Sequence, residues 1–184
     1  MFKWLSNFFP NHRSDTQCAD LPDNWSGSEP YPTPDTVYDW DDASLFAAAG
    51  SESALRYHRD GFEALNNVER SLCCLYLLEA EVNNGGFGQW VDALCPGSAA
   101  ETPNTLRQIG ATEMAAFVAD ALLPLGDLTR FGSKEEWIDN YLSMPDEVHE
   151  HLETLTKPFL DLEDRFLALA YAFTRANWQA VRTE

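Results

Sequence analysis

The chain is predicted to fold as an all-α, single-domain multi-helix bundle preceded by an extended proline-rich segment. Three observations predict this. Beyond residue 38, apolar residues recur at spacings of three and four, the period of a helix with one buried face. No stretch alternates apolar and polar residues as a half-buried strand does, and no internal repeat is visible. The breaks between periodic stretches are short and rich in Gly, Pro, Asn and Ser, as connections within a bundle are. Residues 1–38 read as the extended segment and 39–184 as the helical domain. With 45% hydrophobic and 12% aromatic residues, the composition supports a packed core rather than a disordered chain.

Taken in order, Pro10, Pro22, Pro30, Pro32 and Pro34 keep residues 10–36 extended. Asp41 or Asp42 caps a short helix running to about Ala49, broken by Gly50 and Ser51, and a further helix covers Glu52 to Ala64. Asn66 or Asn67 then caps a central helix with Val68, Leu72, Leu75, Leu78 and Val82 on one face. It ends at Asn83-Asn84-Gly85-Gly86. A second helix starts at once, marked by Phe87, Trp90, Val91 and Leu94, and ends at Pro96-Gly97. Further helices are expected at about Ala99–Ile109, Thr112–Leu123 and Lys134–Ser143. A C-terminal pair follows at about Pro145–Thr156 and Pro158–Val181. Val148, Leu152, Leu155 and Phe159 form the inward stripe of the first, and Leu162, Phe166, Leu169 and Phe173 that of the second.

Charge restricts the possible partners. The chain carries −18, and the excess is localised. From Ser14 to Leu55 there are nine acids and no base, and from Ser133 to Asp164 ten acids and two bases, so these stretches supply 17 of the 18 excess charges. Such a field repels nucleic acid and anionic lipid and attracts basic protein surfaces. Cys18, Cys73, Cys74 and Cys95 fit neither a zinc ribbon nor a disulfide scaffold, and a reduced cytoplasmic setting is expected. No apolar run approaches ~20 residues, so no membrane-spanning helix is expected. Residues 1–10 are aromatic without reading as a signal peptide. They either fold back onto the domain or form a contact arm for a second subunit.

Three acidic rows stand out. Asp35, Asp39, Asp41 and Asp42 cluster before the first helix. Glu135, Glu136 and Asp139 lie opposite Trp137 and Tyr141. Asp146, Glu150 and Glu153, with Glu147 beside them, lie opposite Val148, Leu152 and Leu155. At ~1.5 Å rise per residue, acids at i and i+4 stand roughly 6 Å apart along a helix. Duplex DNA presents about one charge per 1.7 Å of axis, so dense, fixed carboxylates of this kind could stand in for phosphates.

The string Glu81-Val82-Asn83-Asn84-Gly85-Gly86-Phe87-Gly88-Gln89-Trp90 is the most distinctive in the chain. It lacks the Lys-Ser/Thr of a phosphate loop and follows no strand. Two glycines permit a sharp helix-to-helix corner, which Phe87 and Trp90 would anchor. Glu81, Asn84, Gly85, Gly86, Phe87, Gln89 and Trp90, with Ile109-Gly110-Ala111 some twenty residues later, resemble the Asn-Gly-Gly-Phe-x-Gln-aromatic signature of a bacterial helical domain family, formerly of unknown function. Its studied representative is an acidic DNA mimic. The resemblance covers about Asp39 to Arg175. It departs at Val91-Asp92-Ala93-Leu94, where the family usually places an Asn. It implies a homodimeric, all-α protein whose acidic surface occupies the DNA-binding face of a basic protein such as a transcription factor. No enzymatic activity and no cofactor are expected, and the negative field argues against nucleic acid and membrane as ligands.

Other readings stay open. The acidic faces could be solvated charge that binds nothing in particular. An immunity- or antitoxin-like binder of a basic toxin would show the same electrostatics. Glu79, Glu81, Asn84 and Gln89 could line a ligand or catalytic pocket at the glycine corner. His149 and His151 lie about 200° apart around a helix, too far to share one metal ion. Arg56, His58 and Arg59 make one small basic cluster, set against an opposing overall field.

Overall fold

The computed structural model describes residues 31–33, 35–93, 96–128, 131 and 134–182. The reading of residues 1–10, the first thirty residues of the extended segment, and Cys18 and Cys95 lie outside them. Among the described residues there are seven α-helices and no strand: α1 (Asp42–Asp60), α2 (Asn67–Ala93), α3 (Pro96–Gln108), α4 (Thr112–Leu122), α5 (Lys134–Leu142), α6 (Asp146–Leu160) and α7 (Glu163–Asn177). None is long and apolar enough to cross a membrane.

Tyr31, Val37 and Trp40 pack onto the helices. The Tyr31 hydroxyl donates to the Trp178 carbonyl (3.0 Å), and Val37 is buried with Leu45 and Trp178. Arg175 holds the turn at Val37–Asp39. Its guanidinium donates to the Val37 and Trp40 carbonyls (2.9 and 2.8 Å) and to Asp42 Oδ1 (2.6 and 2.8 Å).

Asp41 caps α1, accepting from the Ser44 amide (2.8 Å) and hydroxyl (2.9 Å). The break expected at Gly50 and Ser51 does not occur, because α1 runs unbroken to Asp60. Gly50 is buried against Tyr76, and a Cβ there would lie 2.5 Å from the Tyr76 Cβ. This glycine therefore permits close approach of α1 to α2, and the two helices' burial outweighs its poor helix propensity of ~1 kcal/mol. The Ser51 and Ser53 hydroxyls bond back to the Ala48 and Ala49 carbonyls.

Asn66 starts α2 through a reciprocal cap. Its Oδ1 accepts from the Val68 and Glu69 amides, while the Asn66 amide donates to Glu69 Oε2. Glu69, fully buried, also accepts from the Arg182 backbone and guanidinium, and Arg56 Nε lies 3.5 Å away. This clamp fixes the chain after α7 to the start of α2. Burial works to raise the Glu69 pKa, but the bonds from Arg182 and Asn66 outweigh it and hold the carboxyl below its usual range.

The central helix is α2, packed by α1, α3 and α6. Leu72, Leu75, Leu78, Val82, Phe87 and Trp90 from α2 join Trp137, Leu152, Phe159 and Phe166 in the main core. Beside it, Ala54, Tyr57, Phe62, Leu65, Cys73 and Cys74 form a smaller cluster. The α6 helix passes through Pro158, where a new helix was expected to begin. Proline removes one hydrogen bond at a cost of up to ~3 kcal/mol in a helix interior, and less near a terminus. Continuing the helix buries Phe159 against Phe87 and Phe166, worth about 2–3 kcal/mol. Phe166 is buried on α7 as expected, while Leu162, Leu169 and Phe173 are only half-buried. The deepest α7 positions are Phe166, Ala170 and Thr174.

Inside α2 the backbone leaves helical geometry at Gly85 and at Gly86, where φ is +77°. A Cβ at Gly86 would meet Thr156 Oγ1 at 2.7 Å, and that same hydroxyl accepts from the Phe87 amide (3.1 Å). Gly86→Ala therefore combines a left-handed φ with a steric clash. It is expected to lower stability by about 2–4 kcal/mol, read as a reduced urea midpoint with an unchanged slope.

Candidate functional site

At the glycine corner, Phe87 and Trp90 drop into the core with their rings edge to face at 5.7 Å. Gln89 folds over Gly85 and donates to Glu81 Oε2 (2.7 Å). Glu81 and Gln89 are thus bonded to one another, and Asn84 is exposed. Asn83 bridges outward, donating to the Glu79 carbonyl (3.0 Å) and to Glu163 Oε1 on α7 (2.6 Å). A shallow pocket of about 100 Å³ lies elsewhere, between Gly110–Met114 and Leu162–Leu169, beside the Arg165–Glu113 ion pair (3.1 Å).

The second half of α2, beyond the corner, receives α5. Trp137 Nε1–H donates to the Val91 carbonyl (2.9 Å), and Trp137 packs on Phe131 and Tyr141. Tyr141 meets His149 of α6 at 4.8 Å between ring centroids. His151 faces Asp120 on α4, with Nε2 3.9 Å from the carboxylate, so the two histidines engage different helices. These contacts set α5 beside α6, and Glu135, Glu136, Asp139, Asp146, Glu147, Glu150 and Glu153 are all exposed. Between residues 135 and 156 the sequence holds these seven acids and no Lys or Arg. Burial, then Asp92 and Glu153, push the Tyr141 phenol up.

Asp35, Asp39, Asp41 and Asp42 are also exposed, at the N-terminal end of α1. Two of them have structural work, Asp41 as a cap and Asp42 as the Arg175 partner. The Ser44 amide and hydroxyl lower the Asp41 pKa. Burial raises the Tyr171 phenol, assisted by Glu79, Glu163, Asp41 and Asp42.

Four of the arginines are gathered elsewhere. Arg56 and Arg59 meet Asp60, Arg70 meets Glu63, and Arg182 meets Glu69, all around the α1–α2 junction. In the basic cluster read from Arg56, His58 and Arg59, both arginines are thus paired with carboxylates of the same domain. Glu79 and Asp92 were not read as members of the acidic rows, and Glu163 was counted only within the Ser133–Asp164 stretch. Glu79 and Asp92 flank the glycine string in sequence, but their neighbours come from α5 and α7.

These features define a class: an all-helical acidic domain whose arginines pair largely with its own carboxylates and whose last helices carry exposed acidic rows. Residues 63–177 match the profile of the family described as DMP19-like protein, and the chain belongs to that family. A comparison with curated proteins found no match, and one with solved structures found none.

Glu79 has the most displaced carboxyl of the site. Burial, then the charge of Glu163, raises its pKa to about 7. A folded-state pKa raised above the unfolded value means that the native state binds the proton more tightly. Its ionisation therefore destabilises the fold progressively as pH rises from about 4.5 to 7. Glu79→Gln is expected to abolish this slope and to stabilise the protein at pH 8, by on the order of 3 kcal/mol, while leaving stability near pH 4.5 unchanged. Thermal melts of both proteins from pH 4.5 to 8 check this.

Proposed function

We propose that the protein is an acidic protein-interaction module that imitates duplex DNA and occupies the DNA-binding face of a basic protein such as a transcription factor. The observation that carries this reading is the run of seven exposed carboxylates on α5 and α6, uninterrupted by Lys or Arg. Membership of the DMP19-like family supports it. The fifteen residues of α6 span ~22 Å, over which one DNA strand presents roughly six or seven phosphates. The two rows together supply a comparable number. A homodimer would offer a second set, approaching the charge of both strands.

The mechanism is competitive occupancy, with carboxylates held on packed helices in place of phosphates. Rigidity matters because a flexible acidic tail would lose conformational entropy on binding. Trp137, Tyr141 and Phe159 remove that freedom before the partner arrives. The setting would be the cytoplasm, where DNA-binding proteins work, with neither nucleic acid nor membrane as the ligand.

The test is retention of a basic host protein at low salt, followed by competition with duplex DNA. Binding is expected to fall steeply with salt, and duplex DNA is expected to displace the module. A ternary complex with DNA, or salt-insensitive binding, contradicts mimicry. Combining Asp139→Asn, Glu150→Gln and Glu153→Gln is expected to weaken binding by about tenfold or more with little change in thermal stability. None of the three pairs with Lys or Arg among the described residues.

A further inference from the structure

The α5–α6 face is not purely acidic. Leu142 ends α5 with 67% of its surface exposed. It lies three residues beyond Asp139 and seven beyond Glu135, on the same stripe of the helix. Phosphates offer nothing that an exposed leucine reproduces, so imitation of DNA leaves Leu142 unexplained. Carboxylates around a leucine suit an occupant that carries both positive charge and apolar side chains. The chain itself holds such a segment. Residues 1–13 contain Lys3 and Arg13 and no acid, and they carry Phe2, Trp4, Phe8 and Phe9. Charge reverses immediately after them, because Ser14–Leu55 holds nine acids and no base. The arginines near the other end of the chain are already committed, Arg165 to Glu113, Arg175 to Asp42 and Arg182 to Glu69. Residues 1–13 lie outside the described ones, but the chain that follows sets their reach. Tyr31 is held to the Trp178 carbonyl at 3.0 Å and lies eighteen residues beyond Arg13. At ~3.3 Å per residue that connection spans up to ~60 Å, more than the ~40 Å diameter of a domain of this size.

We infer that residues 1–13 fold back onto the α5–α6 face of the same molecule. Lys3 and Arg13 meet the carboxylates of Asp139, Glu150 and Glu153, and an aromatic side chain covers Leu142. The α5–α6 face is favoured over the cluster at Asp35–Asp42, where Asp41 and Asp42 are already engaged by Ser44 and Arg175. Two cations on an exposed face bind weakly by themselves, since exposed ion pairs gain little and salt screens them. Tethering raises the effective concentration to the order of mM, so the segment competes with a partner without shutting it out. The regulatory meaning rests on the role proposed above for this face: it carries its own weak occupant, which a partner of higher charge displaces. The contact itself is measured on the protein alone.

The test treats three forms with a carbodiimide at low salt and maps the products by mass spectrometry: the full chain, a form lacking residues 1–13, and the double variant Lys3→Glu, Arg13→Glu. The reagent activates a carboxylate, and a lysine amine in contact displaces it as the urea, leaving an amide. Lys3 of the full chain is expected to form such amides with Asp139, Glu150 or Glu153. Those three carboxylates are expected to react about twofold or more faster in the shortened and charge-reversed forms, and the difference is expected to vanish at about 1 M salt. Matching thermal melts of the three forms show that the helical domain is unchanged. A mixture of 15N-labelled and unlabelled full chain separates contact within a molecule from contact between molecules. Links found only between labelled and unlabelled copies overturn the fold-back and make the segment an arm of a second copy. Lys3 linked only to Asp35 or Asp39, or equal reactivity of the α5–α6 carboxylates in all three forms, also overturns it. The shortened form is further expected to bind the retained basic partner about threefold or more tightly. Where the Lys3 links form but duplex DNA fails to displace the partner, DNA mimicry fails and the fold-back stands.

Discussion

The left-handed turn at Gly86 is the constraint on which the arrangement of the acidic helices depends. Without it, α2 would continue straight and Phe87 and Trp90 would leave the core. With it, the second half of α2 presents the Val91 carbonyl to Trp137 and the Phe87 ring to Phe159, and these contacts place α5 and α6. Thr156 closes the arrangement from α6, where its hydroxyl takes the amide freed by the turn. The glycine corner thus sets the positions of the strongly charged rows.

Charge is sorted along with the fold. The arginines at the α1–α2 junction do structural work, and the buried Glu69 joins that junction to the end of the chain. Their pairing keeps these arginines away from α5 and α6, whose own lysines, Lys134 and Lys157, stand outside the seven-acid run. Surface acids are ordinarily interspersed with bases, so a seven-acid run without one departs from what solubility alone requires. Self-repulsion is the cost, and it falls on helices that are already fixed by aromatic packing.

Much of this was legible in the sequence, for identifiable reasons. The helical class followed from spacing, and the corner from paired glycines before Phe87. The Asn66 cap could be read because capping is local. Gly50 could not, since the same residue signals a break or a close approach, and only Tyr76, 26 positions away, decides between them. Pro158 misled because Phe159 burial comes from α2 and α7. The union of Glu69 with Arg182 spans 113 positions, and no local pattern announces it. The acidic rows were visible as helical stripes, but the cap on Ser44 and the pair with Arg175 show that Asp41 and Asp42 also serve the fold. Glu79 was noticed beside the corner, yet its burial and the charge of Glu163 on α7 are tertiary properties.

The central claim is that the carboxylates of α5 and α6 form the surface that meets a basic partner. Carbodiimide labelling of carboxylates, read by mass spectrometry in the free protein and in complex with the partner retained at low salt, tests it most directly. Asp139, Glu150 and Glu153 are predicted to lose reactivity in the complex, while Glu63 and Asp60 at the arginine-rich end keep theirs. Unchanged reactivity along α5 and α6, with protection at the arginine-rich end instead, would contradict the account.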